Sequence, residues 1–358
     1  MITVDPQDYE RRVAPATDLL DVFATMLIGE LDDQNGGFRC WIGHSDWKTL
    51  ALLADYLIQS IYGVSEALQS ASLAAKTHRE ATFSQSHAFK QATREGENPF
   101  PLNAQGRRRA STITSSLESC FFHLGQSLDR LAAAVFIIGG FEVNNIVKVD
   151  WGKLEEVAAD LDQGSGRERY QPAGSTGRAA QEALVIPVRD WLQYGPTDWL
   201  EWFRETRNGA THRAVGTKVV VPTTDQRFVR LLYREPLWSE VQSFVYGARP
   251  PKTSLWDAFI PAASEDVLDG LVDSTTQLVA AIARTMETCW IARVADPQMI
   301  VQHGRQWQDV EPPGAMSNFP GYGTPITIAS KNMTLNPLDA QRWNAARVMD
   351  DRRADWYV

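Results

Sequence analysis

The chain has 358 residues, 44% of them hydrophobic and 22% charged, a balance that supports a sizeable core and excludes global disorder. Its net charge of −9 argues against a protein that coats nucleic acid by general attraction, while leaving room for a local basic cleft. The three cysteines, Cys40, Cys120 and Cys289, are widely spaced and form no CxxC pair. They read as buried reduced thiols rather than as disulfides or zinc ligands.

The N-terminus has neither a basic start nor an apolar run, so no signal peptide is expected. A first helix is expected over about 17–31, with Leu19, Leu20, Phe23, Met26 and Leu27 on its buried side. Asn35, Gly36 and Gly37 mark a turn. A long helix starts near Asp46, which suits an N-cap, and Leu50, Leu53, Leu57, Ile61, Val64 and Leu68 recur at three- and four-residue steps. From 74 to 95 the pattern turns polar, as for a helix that projects into solvent, meets a partner, or breaks.

The clearest helix covers 110–138, where Ile113, Leu117, Phe121, Leu124, Leu128, Leu131, Val135 and Ile138 form a bundle stripe that Gly139 and Gly140 end. The greasiest stretch, 131–141, is too short to cross a bilayer. Shorter helices follow at about 151–161, 179–193 (kinked or restarted by Pro187) and 196–206. Residues 215–221 and 227–233 are rich in β-branched and aromatic side chains and read as a hairpin. A last long helix is expected over 264–294, capped by Ser264. The Pro- and Gly-rich tail ends in a short helix near 338–352.

These elements predict a mainly α fold: a helical bundle with a small β-hairpin insertion and an extended C-terminal tail. Three regions are expected: an N-terminal helical region at 1–100, the bundle with its hairpin at about 215–233 within 101–296, and the tail at 297–358. A cytoplasmic location with no membrane partner follows by elimination.

The segment that can do chemistry is Arg207-Asn208-Gly209-Ala210-Thr211-His212. RNA carries its own nucleophile, the ribose 2′-OH. Cutting it without a metal needs a proton handler active near neutral pH and a cation to hold the phosphate. Histidine and arginine are the natural pair, and an amide such as Asn208 can orient them. Gly209 lets the backbone turn or approach a substrate. Arg204 and Arg213 make the neighbourhood positive.

This Arg-Asn-x-x-x-His pattern resembles the R-x4-6-H motif of the HEPN superfamily. The resemblance covers roughly residues 110–213. It implies a HEPN-like four- or five-helix bundle, a homodimer with a cleft where the two motifs meet, and metal-independent endoribonuclease activity in toxin or antiviral roles. No cofactor and no metal are implied. Carried over, Arg207 stabilises the phosphate, His212 is the acid/base and Asn208 supports them. Arg204, Arg213 and Asp129 contact substrate, Asp129 matching an acidic position on an earlier helix in some members. RNA is the implied partner, alongside a second copy and an antitoxin or other protein partner. A hairpin follows the motif where compact members continue in helix.

Other readings stand beside this one. Arg and His near a helix end also cap carbonyls and complement the dipole, and some HEPN-like domains are non-catalytic binding or scaffold modules. Arg39 and His44 share the spacing, but Cys40, Trp41 and Ile42 suggest a packed turn. The Arg107-Arg108-Arg109 run reads as a solvated face, Cys120 with His123 as core, His78 and His87 as non-metal, and 164–167 as a flexible loop.

Overall fold

A computed structural model describes residues 8–30, 47–142, 146–164, 167, 170–212, 219–224, 227–234, 256 and 259–301, without the side chains of 47–52 and 210–212. Among these residues the chain forms seven α-helices and one two-stranded antiparallel sheet. The helices are α1 (Asp8–Glu30), α2 (Trp47–Arg94), α3 (Ala104–Ile138), α4 (Trp151–Asp162), α5 (Thr176–Arg189), α6 (Trp199–His212) and α7 (Ser264–Ala295). Strands β1 (Val219–Pro222) and β2 (Phe228–Leu231) pair with Val220 opposite Arg230. The expected turn at 32–38, the Arg39/His44 pair, Asp46, Arg213, strand residues 215–218, and the tail with its short helix lie outside the described residues.

Several elements run past their expected ends for local reasons. Helix α1 begins nine residues earlier than expected (Asp8 rather than 17) and carries Pro15 within it. Helix α3 begins six residues early because Asn103 caps it, its Oδ1 accepting the Gly106 N–H at 2.8 Å. Helix α6 continues through the Arg207–His212 segment, which therefore forms its last turns instead of following it. Ser264 opens α7, and its hydroxyl meets His78 Nε2 at 2.7 Å while lying 3.4 Å from the Glu265 carboxylate of its own first turn.

The chain divides into two compact units, each drawn from three stretches. The first comprises 1–21, 61–131 and 185–285. Its core joins Val13, Leu20, Ile61, Leu68, Ile113, Leu124, Leu128, Phe203, Leu268 and Leu278, all fully buried. Packing of these apolar faces supplies the main drive for burial, at roughly 25 cal/mol per Å² removed from water.

Charged groups fix how the helices of this unit meet. Arg12 of α1 holds Asp273 of α7 through two hydrogen bonds at 2.6 and 2.8 Å, and also contacts Asp269. Arg79 of α2 bonds Asp266 at 2.8 Å and shares Asp269. Asp269 thus bridges two arginines from different helices, a planar recognition that suits guanidinium. Arg130 of α3 donates to the Gly63 carbonyl at 2.6 Å and lies where a Cβ at that glycine would stand.

The polar half of α2 does not project from the fold. The helix is unbroken to Arg94, and His78, Thr82, Gln85 and Phe89 are buried along one stripe. Strand β2 lies over that stripe. The Phe228 N–H donates to Ser86 Oγ at 2.9 Å, and the Phe228 and Phe89 rings meet edge-on at 5.3 Å.

The second unit comprises 22–60, 132–184 and 286–358. Asp150 caps α4 by accepting the Lys153 N–H at 2.9 Å. Gly140, at φ 58°, takes the left-handed turn that ends α3. The last carbonyls of α3, those of Ile137 and Ile138, accept from the fully buried Arg293 at 3.2 and 3.0 Å. Gln181 ties the same end by donating to the Gly139 carbonyl at 2.8 Å while accepting the Gln171 N–H at 2.9 Å.

Among the described residues one helix, α3, is long and apolar enough to cross a membrane, and 72% of its most apolar window is buried within the protein. Core helices of this length pass the same test.

Candidate functional site

Helix α6 is held against α3 by its aromatic face. Phe203 stacks on Phe121 at 6.0 Å, Trp202 leans on the same ring at 5.9 Å, and the Trp202 indole N–H donates to the Tyr233 carbonyl at 3.1 Å. This anchoring presents the next turn, Arg204 to Asn208, along the flank of α3.

Arg207 lies across α3 at Gly125. A Cβ at Gly125 would stand 2.6 Å from Arg207 Cδ, so only glycine leaves room for the stem. One turn further along α3, Asp129 Oδ2 accepts from Arg207 Nη2 at 2.9 Å. The two side chains keep 27% and 30% of their surface exposed. Arg207 and Asp129, expected from sequence to share a site, are therefore brought together, with Asp129 as the arginine's partner. Asn208 is exposed and Arg204 half-buried.

Positions 208 and 212 are four residues apart and share a helix face, whereas 207 and 212 are separated by about 140° around the axis. His212 is the last residue of α6, and its side chain lies outside the described residues.

The remaining candidates sit apart from this cluster. Cys120 is fully buried and desolvation pushes its thiol far above the usual range, while His123 bonds Gln126 at 3.3 Å. Cys289 is buried and pushed up to about 11 for the same reason. Arg107 and Arg108 are exposed, and Arg107 donates to the Leu102 carbonyl at 2.9 Å. Gly164, at φ 68°, turns the chain after α4, and Arg167 pairs with Asp160 at 2.9 Å. Among the described residues no group of three or more His, Cys, Asp or Glu is placed to hold a metal ion.

Three features escaped the sequence reading. Gly125 is one, and a glycine inside the most apolar helix was its visible signal. The second is a sealed polar pair. The His78 Nδ1–H donates to the Ile113 carbonyl at 2.9 Å, and its Nε2 accepts from the Ser264 hydroxyl at 2.7 Å, with both residues fully buried. Burial, with Arg230 and Arg79 as further causes, lowers the His78 pKa to about 4. The ring is thus neutral and serves as an interior hydrogen-bond bridge between α2, α3 and α7. The third is Arg230 itself, buried beneath β2.

No known family model, curated protein or solved structure matches the chain.

Proposed function

We propose that the chain is a metal-independent endoribonuclease of the HEPN type, acting as a cytoplasmic homodimer in a toxin or antiviral role. One observation carries this reading. The half-exposed guanidinium of Arg207 is held by Asp129 beside the exposed Asn208, on the same helix end as His212. Seating over Gly125 limits the rotamers of Arg207, so its charge is oriented before a phosphate arrives.

In this chemistry the ribose 2′-oxygen bonds to phosphorus as the bond to the 5′-oxygen breaks. One proton leaves the 2′-oxygen and one reaches the 5′-oxygen, the steps assigned to His212. Arg207 stabilises the charge on the phosphate oxygens. Because 207 and 212 diverge around α6, one helix alone does not bring them onto one phosphate. A second copy supplying the opposite face would complete the set, in keeping with the dimer that the resemblance implies.

The test is cleavage of RNA in EDTA, read by 2′,3′-cyclic phosphate ends and by their loss in His212→Ala with the fold intact. Cutting that persists in that variant removes the assignment.

A second reading is favoured by the ion pair itself: Asp129 already occupies one edge of Arg207 and complements its charge. On this reading the chain is a non-catalytic helical binding module. It then shows no turnover and co-purifies with a defined protein partner.

A further inference from the structure

Arg230 projects from β2 toward α2 and α3 and keeps only 6% of its surface exposed. Among the described residues its one hydrogen bond runs from Nη1 to Thr114 Oγ1, at the outer limit of 3.5 Å. Its Nε is buried with no partner, and no carboxylate of a described residue pairs with it. The other arginines that tie this unit together behave differently: Arg12, Arg79 and Arg207 each hold an aspartate.

A guanidinium cannot escape burial by shedding its proton, so a sealed one needs a counter-charge or costs several kcal/mol. Burial lowers the Arg230 pKa, and no anion acts in the opposite direction. Arg230 also depresses the neighbouring His78. The floor beneath the hairpin is polar: Thr82 and Gln85 of α2 are buried between His78 and the Phe89–Phe228 contact.

We propose that the Nε–Nη2 edge of Arg230 binds a compact phosphate group and that the bound anion clamps the hairpin onto α2 and α3. The planar fork suits two coplanar oxygens, and a sealed cation attracts a dianion more strongly than a singly charged carboxylate. With only 6% of Arg230 exposed, a ligand must be small or reach it through a terminal group. The site is separate from Arg207 and stands independently of the ribonuclease reading.

The experiment is thermal unfolding of the full chain against inorganic phosphate, a nucleoside 5′-monophosphate and acetate, each balanced with chloride at fixed ionic strength. The expected result is a saturable rise in Tm with phosphate or the monophosphate and a flat response to acetate. The ratio of the two phosphate responses tells the free ion from a nucleotide's terminal group. Arg230→Met is expected to lose the response and, in chloride, to melt no lower than the native chain, because it removes an uncompensated charge. Arg230→Lys keeps the charge without the fork and shifts half-saturation at least tenfold upward. A native Tm that ignores phosphate and monophosphate overturns the proposal, as does an equal response to acetate. So does an Arg230→Met variant that melts well below native in chloride or still responds to phosphate; if that variant does not fold, the native and Arg230→Lys titrations decide.

Discussion

Arg207 and Arg230 both lie against α3, yet they are held in opposite ways. Arg207 rests in a glycine notch, keeps a quarter of its surface in water and has a carboxylate one turn away. Arg230 is closed under a strand with a distant hydroxyl for company. The first arrangement presents a cation that solvent already stabilises, so a substrate can compete for it at modest cost. The second carries an unfavourable desolvation that a counter-charge would relieve. Residue type and spacing reveal the first kind of arginine; only packing reveals the second.

The largest effect expected at the α6 end is on turnover. His212→Ala should lower RNA cleavage by about 10²–10⁴-fold with an unchanged far-UV spectrum. A variant that cuts like the native chain would leave Arg207 an ordinary surface ion pair.

Beneath the hairpin the largest effect is on stability against pH. His78 titrates near 4 when folded and near 6.5 when unfolded, so the unfolded state binds the extra proton as pH falls. Stability is complete above about 6.5 and drops by about 3 kcal/mol as pH falls toward 4. Denaturant melts of the native chain and of His78→Gln check this, since the variant should lack that slope. A native curve flat through that window would mean that the ring is not sealed.

The glycine notch separates the two regions further. Gly125→Ala should cost about 1–3 kcal/mol in urea unfolding, because the new methyl meets the Arg207 stem. In an Arg207→Ala background the same substitution should cost little, and a penalty that stays the same would show the clash lies elsewhere.

The smallest effect belongs to Asp129→Asn. At 30% exposure its pairing contributes at most about 1 kcal/mol, so Tm barely moves. RNA affinity should nonetheless rise, with a steeper salt dependence, as Arg207 is released to phosphate. Unchanged binding would favour the non-catalytic reading.

Periodic apolar spacing made α3 legible almost end to end, since a continuous stripe of Leu, Ile and Val has only one face to bury, and Ser264 marked the start of α7. The Gly139–Gly140 stop was equally readable, because it acts through backbone geometry within a few residues. The Arg207 segment stood out by residue type, but its boundary did not. Residues 207–212 carry a glycine and an asparagine that argue against helix, and the aromatic clamp of Trp202 and Phe203 on Phe121 overrides that weak preference.

What the sequence by itself determined is the helical architecture, the hairpin and the presence of a guanidinium and an imidazole on one short stretch. Tertiary structure alone decided that Asp129 would be the partner of Arg207, that Gly125 would seat it, and that the polar half of α2 would be roofed by β2. The reason is physical: periodicity and caps are local, whereas burial of His78 and Arg230 arises from α2, α3, β2 and α7 meeting at residues 78, 113, 114, 230 and 264 across long stretches of chain. No pattern along the sequence encodes that distance.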